Sequence, residues 1–330
     1  MSILVTGATG FIGSQICRAL VAAGQPVRAF HRPDSSLAAL EDLRLERVVG
    51  DVTQPATLSA AMQGVEVVFH TAAVVGRRGS PALMPAVTVQ GTRNVLRAAA
   101  EAGVGRVVHT SSVAALGVPF QPGVRALPLP IDERHTWNYH PDWWPYGHAK
   151  YMAEMAVQDA VAQGLDVVIV NPAVVVGAGD LNRVSGNIIL QVARRRLPVA
   201  VPGGLNVIHI TDVVRGHLAA LDSGRTGERY ILGGENLTHV EFLNIVAAVT
   251  GVSPPRFVLP LRLARLLAWP AATAGRWLPL PVNGHALRRI GYYFYYDTSK
   301  ACAELGLKEL RPARQAVAEA YAWYQEQEKI

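Results

Sequence analysis

Through its first 110 residues the chain alternates between two hydrophobic rhythms. Nearly unbroken apolar runs, SILVTG (2–7), PVRAFH (26–31), LERVVG (45–50), VEVVFHTAA (65–73) and GRVVHTSS (105–112), are separated by stretches with helical spacing of apolar residues. A strand with one wet face alternates apolar and polar residues. Runs this continuous belong to strands buried on both faces, as in a parallel sheet covered by helices. The intervening stretches predict helices near 11–23, 35–42, 55–63 and 86–102. The repeating strand–helix order predicts an α/β fold built on a doubly wound parallel sheet.

A proline- and aromatic-rich loop (117–145) comes next, then a helix near 146–163 and a strand in LDVVIVNP (165–172). From 171 the elements shorten, punctuated by Gly177, Gly179, Gly186, Pro198, Pro202, Gly203 and Gly204. NVIHITDVVRGHLAAL (206–221) returns to strand then helix, and GERYILGG (227–234) to a strand. The expected organisation is a large sheet domain over 1–170, with 206–233 returning to it. A smaller C-terminal cap would comprise 171–205 and 234–330.

Half of the 330 residues are apolar and 17% are charged, the balance of a chain with a large core rather than a disordered one. The net charge of +6 comes mostly from scattered arginines. Short runs such as Arg194–Arg195–Arg196 lack the interleaved aromatics of a nucleic-acid platform, so no nucleic-acid partner is expected. Cys17 and Cys302 form no CxxC pair and the ten histidines show no HExxH spacing. That points to a reducing compartment, with neither a disulfide framework nor a metal site. Met1 runs almost directly into the first apolar run without a basic leader. LLAWPAATAG (266–275), flanked by Arg265 and Arg276, is too short to span a bilayer. The expectation is a cytoplasmic protein with no integral membrane segment.

The clearest chemical motif is ILVTGATGFIGS (3–14), which sets Gly7, Gly10 and Gly13 after the first strand and at the start of a helix. Glycines there permit a tight turn, close approach of backbone to a pyrophosphate and close helix packing. The helix N-terminus offers unpaired N–H groups and the positive end of its dipole to the phosphates. Together with GDV (50–52), FHTAA (69–73), GTRNVLRAA (91–99), VVHTSS (107–112) and YGHAK (146–150), this motif resembles the extended short-chain dehydrogenase/reductase superfamily over essentially the whole chain. VNPAVVVGAGD (170–180) and the 206–238 region look most like its dihydroflavonol-reductase-like group and the bacterial proteins labelled hopanoid-associated sugar epimerases.

The resemblance implies a Rossmann-type fold and a nicotinamide cofactor. It places Gly7, Gly10, Phe11, Ile12 and Gly13 at the cofactor phosphates and Asp51 and Val52 at the adenine. Thr71, Ala72, Ala73, Pro172 and Ala173 would line the remaining cofactor path. NAD-binding strands end in an acid that grips the ribose 2′-hydroxyl. Here the second strand ends with His31 and Arg32, and an arginine suits a 2′-phosphate. NADP(H) is therefore favoured and NAD(H) kept open, with Asp34 close by.

Only four lysines occur, and two of them follow a tyrosine by four residues: Tyr146–Lys150 and Tyr296–Lys300. At about 100° per residue, Tyr146, Lys150, Ala153 and Val157 share the inward face of one helix, with Glu154, Gln158 and Asp159 expected outward. A lysine directed into apolar territory needs a partner or a task. Tyr296 instead closes an extended aromatic run, and a cap at Asp297 or Thr298 separates it from Lys300, so that pair is structural. A phenol near pKa 10 becomes a usable acid–base group when a lysine and an oxidised nicotinamide stabilise its phenolate. The resemblance makes Ser112 the hydroxyl that binds the substrate oxygen, with Ser111 as the alternative, and gives Lys150 the nicotinamide ribose.

Three functions fit: a reductase or dehydrogenase of ketones, aldehydes or secondary alcohols; a nucleotide-sugar epimerase or dehydratase; and a non-catalytic cofactor-binding protein. Sugar-nucleotide members carry an asparagine and a basic residue where this chain has Val174 and Leu205, and Thr88 replaces a usual asparagine. Trp137, Tyr139, Trp143 and Trp144, with a Leu-, Trp- and Pro-rich cap at 257–281, fit an apolar or aromatic small-molecule substrate, or simple packing of cap on core. Arg77 and Arg78 could meet an acidic group. The helices near 86–102 and 146–163 pair subunits in many relatives, which makes a homodimer an expectation of the resemblance.

Overall fold

The computed structural model describes residues 1–75, 83–120, 128–266 and 288–328. Arg77, Arg78 and most of 266–275 lie outside the described residues. The first half lays down six parallel strands: β1 (Ile3–Thr6), β2 (Val27–His31), β3 (Glu46–Val49), β4 (Val67–His70), β5 (Arg106–Thr110) and β6 (Val167–Pro172). The chain then leaves this sheet through β7 (Val174–Val176), β8 (Val199–Ala200) and β9 (Gly204–His209), and rejoins it as β10 (Arg229–Leu232) beside β6. The seven-stranded order is β3-β2-β1-β4-β5-β6-β10. This is a Rossmann-like α/β sheet whose strand order reverses at β1 and β4.

Every residue of β1, β4 and β6 is buried, as the unbroken apolar runs require. Helices α1 (Phe11–Ala22) and, later in the chain, α6 (Ile210–Ser223) cover one face. Helices α2 (Pro55–Ala61), α3 (Gly91–Glu101) and α4 (Pro145–Ala162) cover the other. The edge strand β3 is exposed except at half-buried Val48 and carries Glu46 and Arg47, charges that blunt an open sheet edge.

A second core lies beyond the sheet. Strand β11 (Glu235–Thr238) joins β9 and β7 in a three-stranded sheet, packed under α5 (Asn187–Ala193), α7 (His239–Thr250) and the last helix, α9 (Ala313–Glu328). Between α7 and α9 come β12 (Phe257–Val258), which pairs with β8, and the short α8 (Ser299–Glu304). The strand expected at 206–209 to return to the large sheet thus pairs in the small one. Only the helix and strand after it go back. The helix expected over 35–42 is a single 3₁₀ turn, Ala38–Leu40. Leu40 is its one buried anchor, too little apolar area to hold a longer helix. The helix near 86–102 begins with a π turn, Pro85–Gln90, before α3.

Candidate active site

Because the seven strands are parallel, their C-terminal ends share one edge, and the loops leaving that edge bring the predicted residues together. The β1–α1 turn carries Gly7, Gly10, Phe11, Ile12 and Gly13; β2 ends at His31 and Arg32; Asp51 and Val52 follow β3; Thr71, Ala72 and Ala73 follow β4. Ser112 follows β5, Pro172 ends β6 and Ala173 comes next.

The three glycines of the turn are present for different reasons. Gly7 has φ +68°, and a Cβ on it would lie 2.7 Å from Ala72 N. A Cβ on Gly13 would collide with Gly7 O and Thr71 Oγ1. These two glycines let β1, α1 and the end of β4 close on one another, and Thr71 Oγ1 locks the contact by donating to Thr6 O at 2.7 Å. Gly10 is different: a Cβ there would meet only Gly7 O, at 3.1 Å. It is the N-cap of α1, with no side chain capping the helix. An uncapped helix start beside a position left open on its outer side is the cradle a pyrophosphate needs. The residues therefore fit a dinucleotide.

At the end of β2, Arg32 is mostly exposed and its Nε lies 3.2 Å from Asp34, while His31 is buried with Nδ1 against Arg32 O. After β3, Asp51 Oδ1 accepts from Thr53 N and Oγ1, and Asn94 Nδ2 donates to Val52 O from α3. Gly91 leaves room for Val52, since a Cβ there would sit 2.7 Å from its side chain. Thr88, in the π turn, accepts a hydrogen bond from Val74 N, so it ties the loop after β4 to the helix.

The second group of residues is built around α4. Gly147 admits Trp137, Trp144 and Ala114 O, which would lie 2.7, 3.0 and 2.8 Å from a Cβ there. That clamp fixes the first turn of α4 and with it Tyr146. The Ser112 hydroxyl lies near the Tyr146 phenol, and its Oγ accepts from Ala114 N at 3.2 Å. Lys150 is buried, as the face argument required, and donates from Nζ to Thr110 O at 2.8 Å. Loss of hydration pushes the Lys150 ammonium down to about 8, while the Glu154 carboxylate opposes the drop.

The expected lowering of the Tyr146 phenol is not met by this chain's own side chains. Burial raises it, and the nearby Ser112 hydroxyl only partly offsets the rise. At neutral pH the phenol is protonated. Tyr296 and Lys300 do different work: Tyr296 is buried among Val113, Leu116 and Ile131, and Lys300 Nζ contacts Glu228 at 2.6 Å.

Glu154 corrects the helix-face expectation: it is buried, not outward. Its Oε1 accepts from Ser111 Oγ at 2.5 Å and Asn171 Nδ2 at 2.6 Å, and its Oε2 from Arg229 Nη1 at 3.0 Å. Asn171 Nδ2 also donates to Ser112 O at 2.9 Å. The loop bearing Ser112 is thereby tied to α4, β6 and β10, and Ser111 belongs to this scaffold. The available signal was the i,i+4 spacing of Lys150 and Glu154; Arg229 arrives only through the fold.

Two buried histidines under Lys150 also escaped the sequence reading. Thr92 Oγ1 donates to Thr88 O, so it accepts from His70 Nε2, and His70 Nδ1 accepts from Thr6 Oγ1 at 2.7 Å. The His109 ring lies tilted against His70, centroids 5.2 Å apart, with both ring nitrogens buried and without partners among the described residues. Desolvation, reinforced by Lys150, pushes His70 down to about 3 and His109 well below its ordinary value. Both are neutral, which leaves the positive charge here on Lys150.

Above the site the aromatics pack together. Trp137 stacks on Tyr151 at 6.2 Å, Trp144 meets Phe294 edge-on at 5.6 Å, and Tyr139 meets Trp143 and Tyr292. Arg289 lies 4.1 Å over the Trp144 ring, and its Nη1 is buried without a hydrogen-bond partner among the described residues. Val174 and Leu205 pack against the hydrophobic core of the small sheet. A charged cleft of about 640 Å³ opens along β10 onto Glu154, Arg229, Glu228 and Lys300, away from Tyr146 and the glycine turn. Among the described residues no cluster of His, Cys, Asp or Glu could hold a metal ion, and no helix is long and apolar enough to cross a membrane.

A parallel Rossmann-like sheet with this glycine turn at its switch point defines a nicotinamide-dinucleotide enzyme of the extended short-chain dehydrogenase/reductase type. The chain belongs to the NAD-dependent epimerase/dehydratase family, whose model matches residues 3–233. It is 39% identical to a putative dihydroflavonol 4-reductase of Synechocystis sp., over 97% of this chain and 94% of that protein. It is 38% identical to sterol demethylase protein B of Methylococcus capsulatus, over the full length of both. The crystal structure of gox2253 superposes with a TM-score of 0.86 at 35% identity, covering 100% of this chain and 99% of that one.

Proposed function

We propose that the protein is an NADP(H)-dependent reductase of a ketone or aldehyde on an apolar or aromatic small molecule, working also in the reverse, alcohol-oxidising direction. The bound nicotinamide supplies or accepts the hydride. The turn closed by Gly7 and Gly13, with Gly10 at its open helix start, would hold the pyrophosphate, Arg32 the 2′-phosphate and Lys150 the ribose. Ser112 donates a hydrogen bond to the substrate oxygen, and Tyr146 delivers a proton to it as the carbonyl is reduced. The raised Tyr146 pKa suits that direction, because a protonated phenol is the acid that reduction needs. Lys150 uses one of its three N–H donors on Thr110 O and presents its charge to the phenolate left behind.

The observation that carries a reductase over a sugar-nucleotide enzyme is the packing of Val174 and Leu205 into the small core. Two apolar side chains offer no grip to a diphosphate. The Trp144 face and the unmatched Nη1 of Arg289 favour a flat or apolar substrate with an oxygen acceptor at one end. The reductase named among the relatives points the same way.

The test is net NADPH consumption across a panel of carbonyl compounds and sugar nucleotides. Net oxidation of NADPH with a carbonyl substrate is expected. Conversion of a sugar nucleotide without net NADPH change would establish the epimerase instead. With the active substrate, Tyr146→Phe should cost at least a hundredfold in kcat and leave NADPH binding intact. Tyr296→Phe should leave kcat unchanged.

A further inference from the structure

From Phe242 to Tyr296 the sequence contains no aspartate or glutamate and six arginines, so this stretch carries +6, equal to the net charge of the whole chain. Its described part forms one surface with β8. Strand β12 pairs with β8 through Phe257–Val199 and Val258–Ala200, and the helical turns at 261–266 are seated by Ala264 and Leu261 on Val201, Leu259 and Ile290. Outward from that seat point Phe257 and Leu266, 69% and 70% exposed, with Val258, Leu263 and Val199 also open to solvent. Arg195, Arg196, Arg256, Arg262 and Arg265 are exposed around them. None of these five makes an ion pair with a described residue, whereas Arg18, Arg28, Arg106, Arg225 and Arg311 elsewhere are each matched by a carboxylate.

We infer that this arginine-rimmed apolar face docks on the surface of an anionic lipid bilayer. Large apolar side chains exposed together mark an interaction surface, and amphipathic faces of this composition lie in the headgroup region with their apolar side inward. Guanidinium groups pair with lipid phosphates in a two-pronged geometry. A second copy of the same face would set arginine against arginine with no carboxylate to relieve it, which disfavours self-association there. The docked face adjoins the aromatic cluster of the candidate site, because Ile290 beneath it is preceded in the chain by Arg289 on the Trp144 ring. The docking itself does not depend on which reaction the candidate site performs.

The experiment is co-sedimentation of the full chain with vesicles of phosphatidylcholine containing about 30% phosphatidylglycerol, and with pure phosphatidylcholine, at low and high salt. Binding to the anionic vesicles alone, weakened by salt, is expected. Replacing Arg256, Arg262 and Arg265 together by glutamine should lower partitioning about a hundredfold, at about fivefold per arginine. Phe257→Glu with Leu266→Glu should abolish it. Both variants alter exposed positions and should keep wild-type NADPH binding and thermal midpoint. No binding to anionic vesicles, equal binding to neutral ones, or binding retained in both variants would overturn the inference. So would a concentration-dependent dimer, without vesicle binding, that the variants dissociate.

Discussion

Replacing Lys150 by methionine is expected to make the cofactor-free protein more stable while removing its activity. The buried ammonium holds its proton less tightly in the folded chain, at a pKa of about 8, than at its ordinary 10.5. At about 1.4 kcal/mol per pH unit, keeping this charge in the fold costs about 3 kcal/mol at pH 7. Methionine removes that cost but gives up the bond to Thr110 O, worth about 1–2 kcal/mol. The net gain at pH 7 is about 1–2 kcal/mol. Unfolding of the wild type takes up a proton between the two pKa values, so its cost is complete below pH 8 and fades as pH rises toward 10.5. Urea unfolding of both proteins at pH 7 and pH 10 reads this out directly. The variant's advantage should vanish by pH 10. A variant less stable at pH 7, or a difference that does not change with pH, would refute the reasoning.

Glycine-to-alanine changes should separate packing from cofactor binding. Gly10→Ala should keep the wild-type thermal midpoint and weaken NADPH binding at least tenfold by fluorescence titration. Gly13→Ala should lower the midpoint itself, since its Cβ has backbone and Thr71 in the way. Arg32→Ala should raise the KM for NADPH at least tenfold and leave that for NADH nearly unchanged; equal effects would remove Arg32 from the 2′-phosphate. Glu154→Gln keeps the shape but weakens the bonds to Ser111 and Arg229, and should cost about 1–3 kcal/mol in urea unfolding together with a lower kcat. An unchanged kcat would mean that the Ser112 loop does not need this anchor.

Much of the site was legible because its determinants are local. A parallel strand buried on both faces must be apolar throughout, so β1, β4, β5 and β6 announce themselves in the sequence. The turn after β1 needs glycine for a positive φ and a close helix, and both demands are met within seven residues. Tyr146 and Lys150 sit one helical turn apart inside one helix, so their common face follows from local periodicity, while the cap at Thr298 separates Tyr296 from Lys300 at the same spacing. What the spacing could not say is what covers the rest of that helix. Glu154 faces inward because Arg229, 75 residues later, Asn171 and Ser111 meet it there. The strand at 204–209 reads like any other apolar run, yet it pairs with β7 and β11, a choice made by partners distant in the chain. The direction of the Tyr146 shift, the neutral histidines under Lys150 and the unmatched guanidinium of Arg289 are likewise effects of burial. The sequence by itself determined the fold class, the glycine turn and the inward face of α4, all set by neighbours within a few residues. Only the tertiary structure decided which polar groups are desolvated and by whom they are met, because desolvation depends on everything packed around a group rather than on its place in the chain.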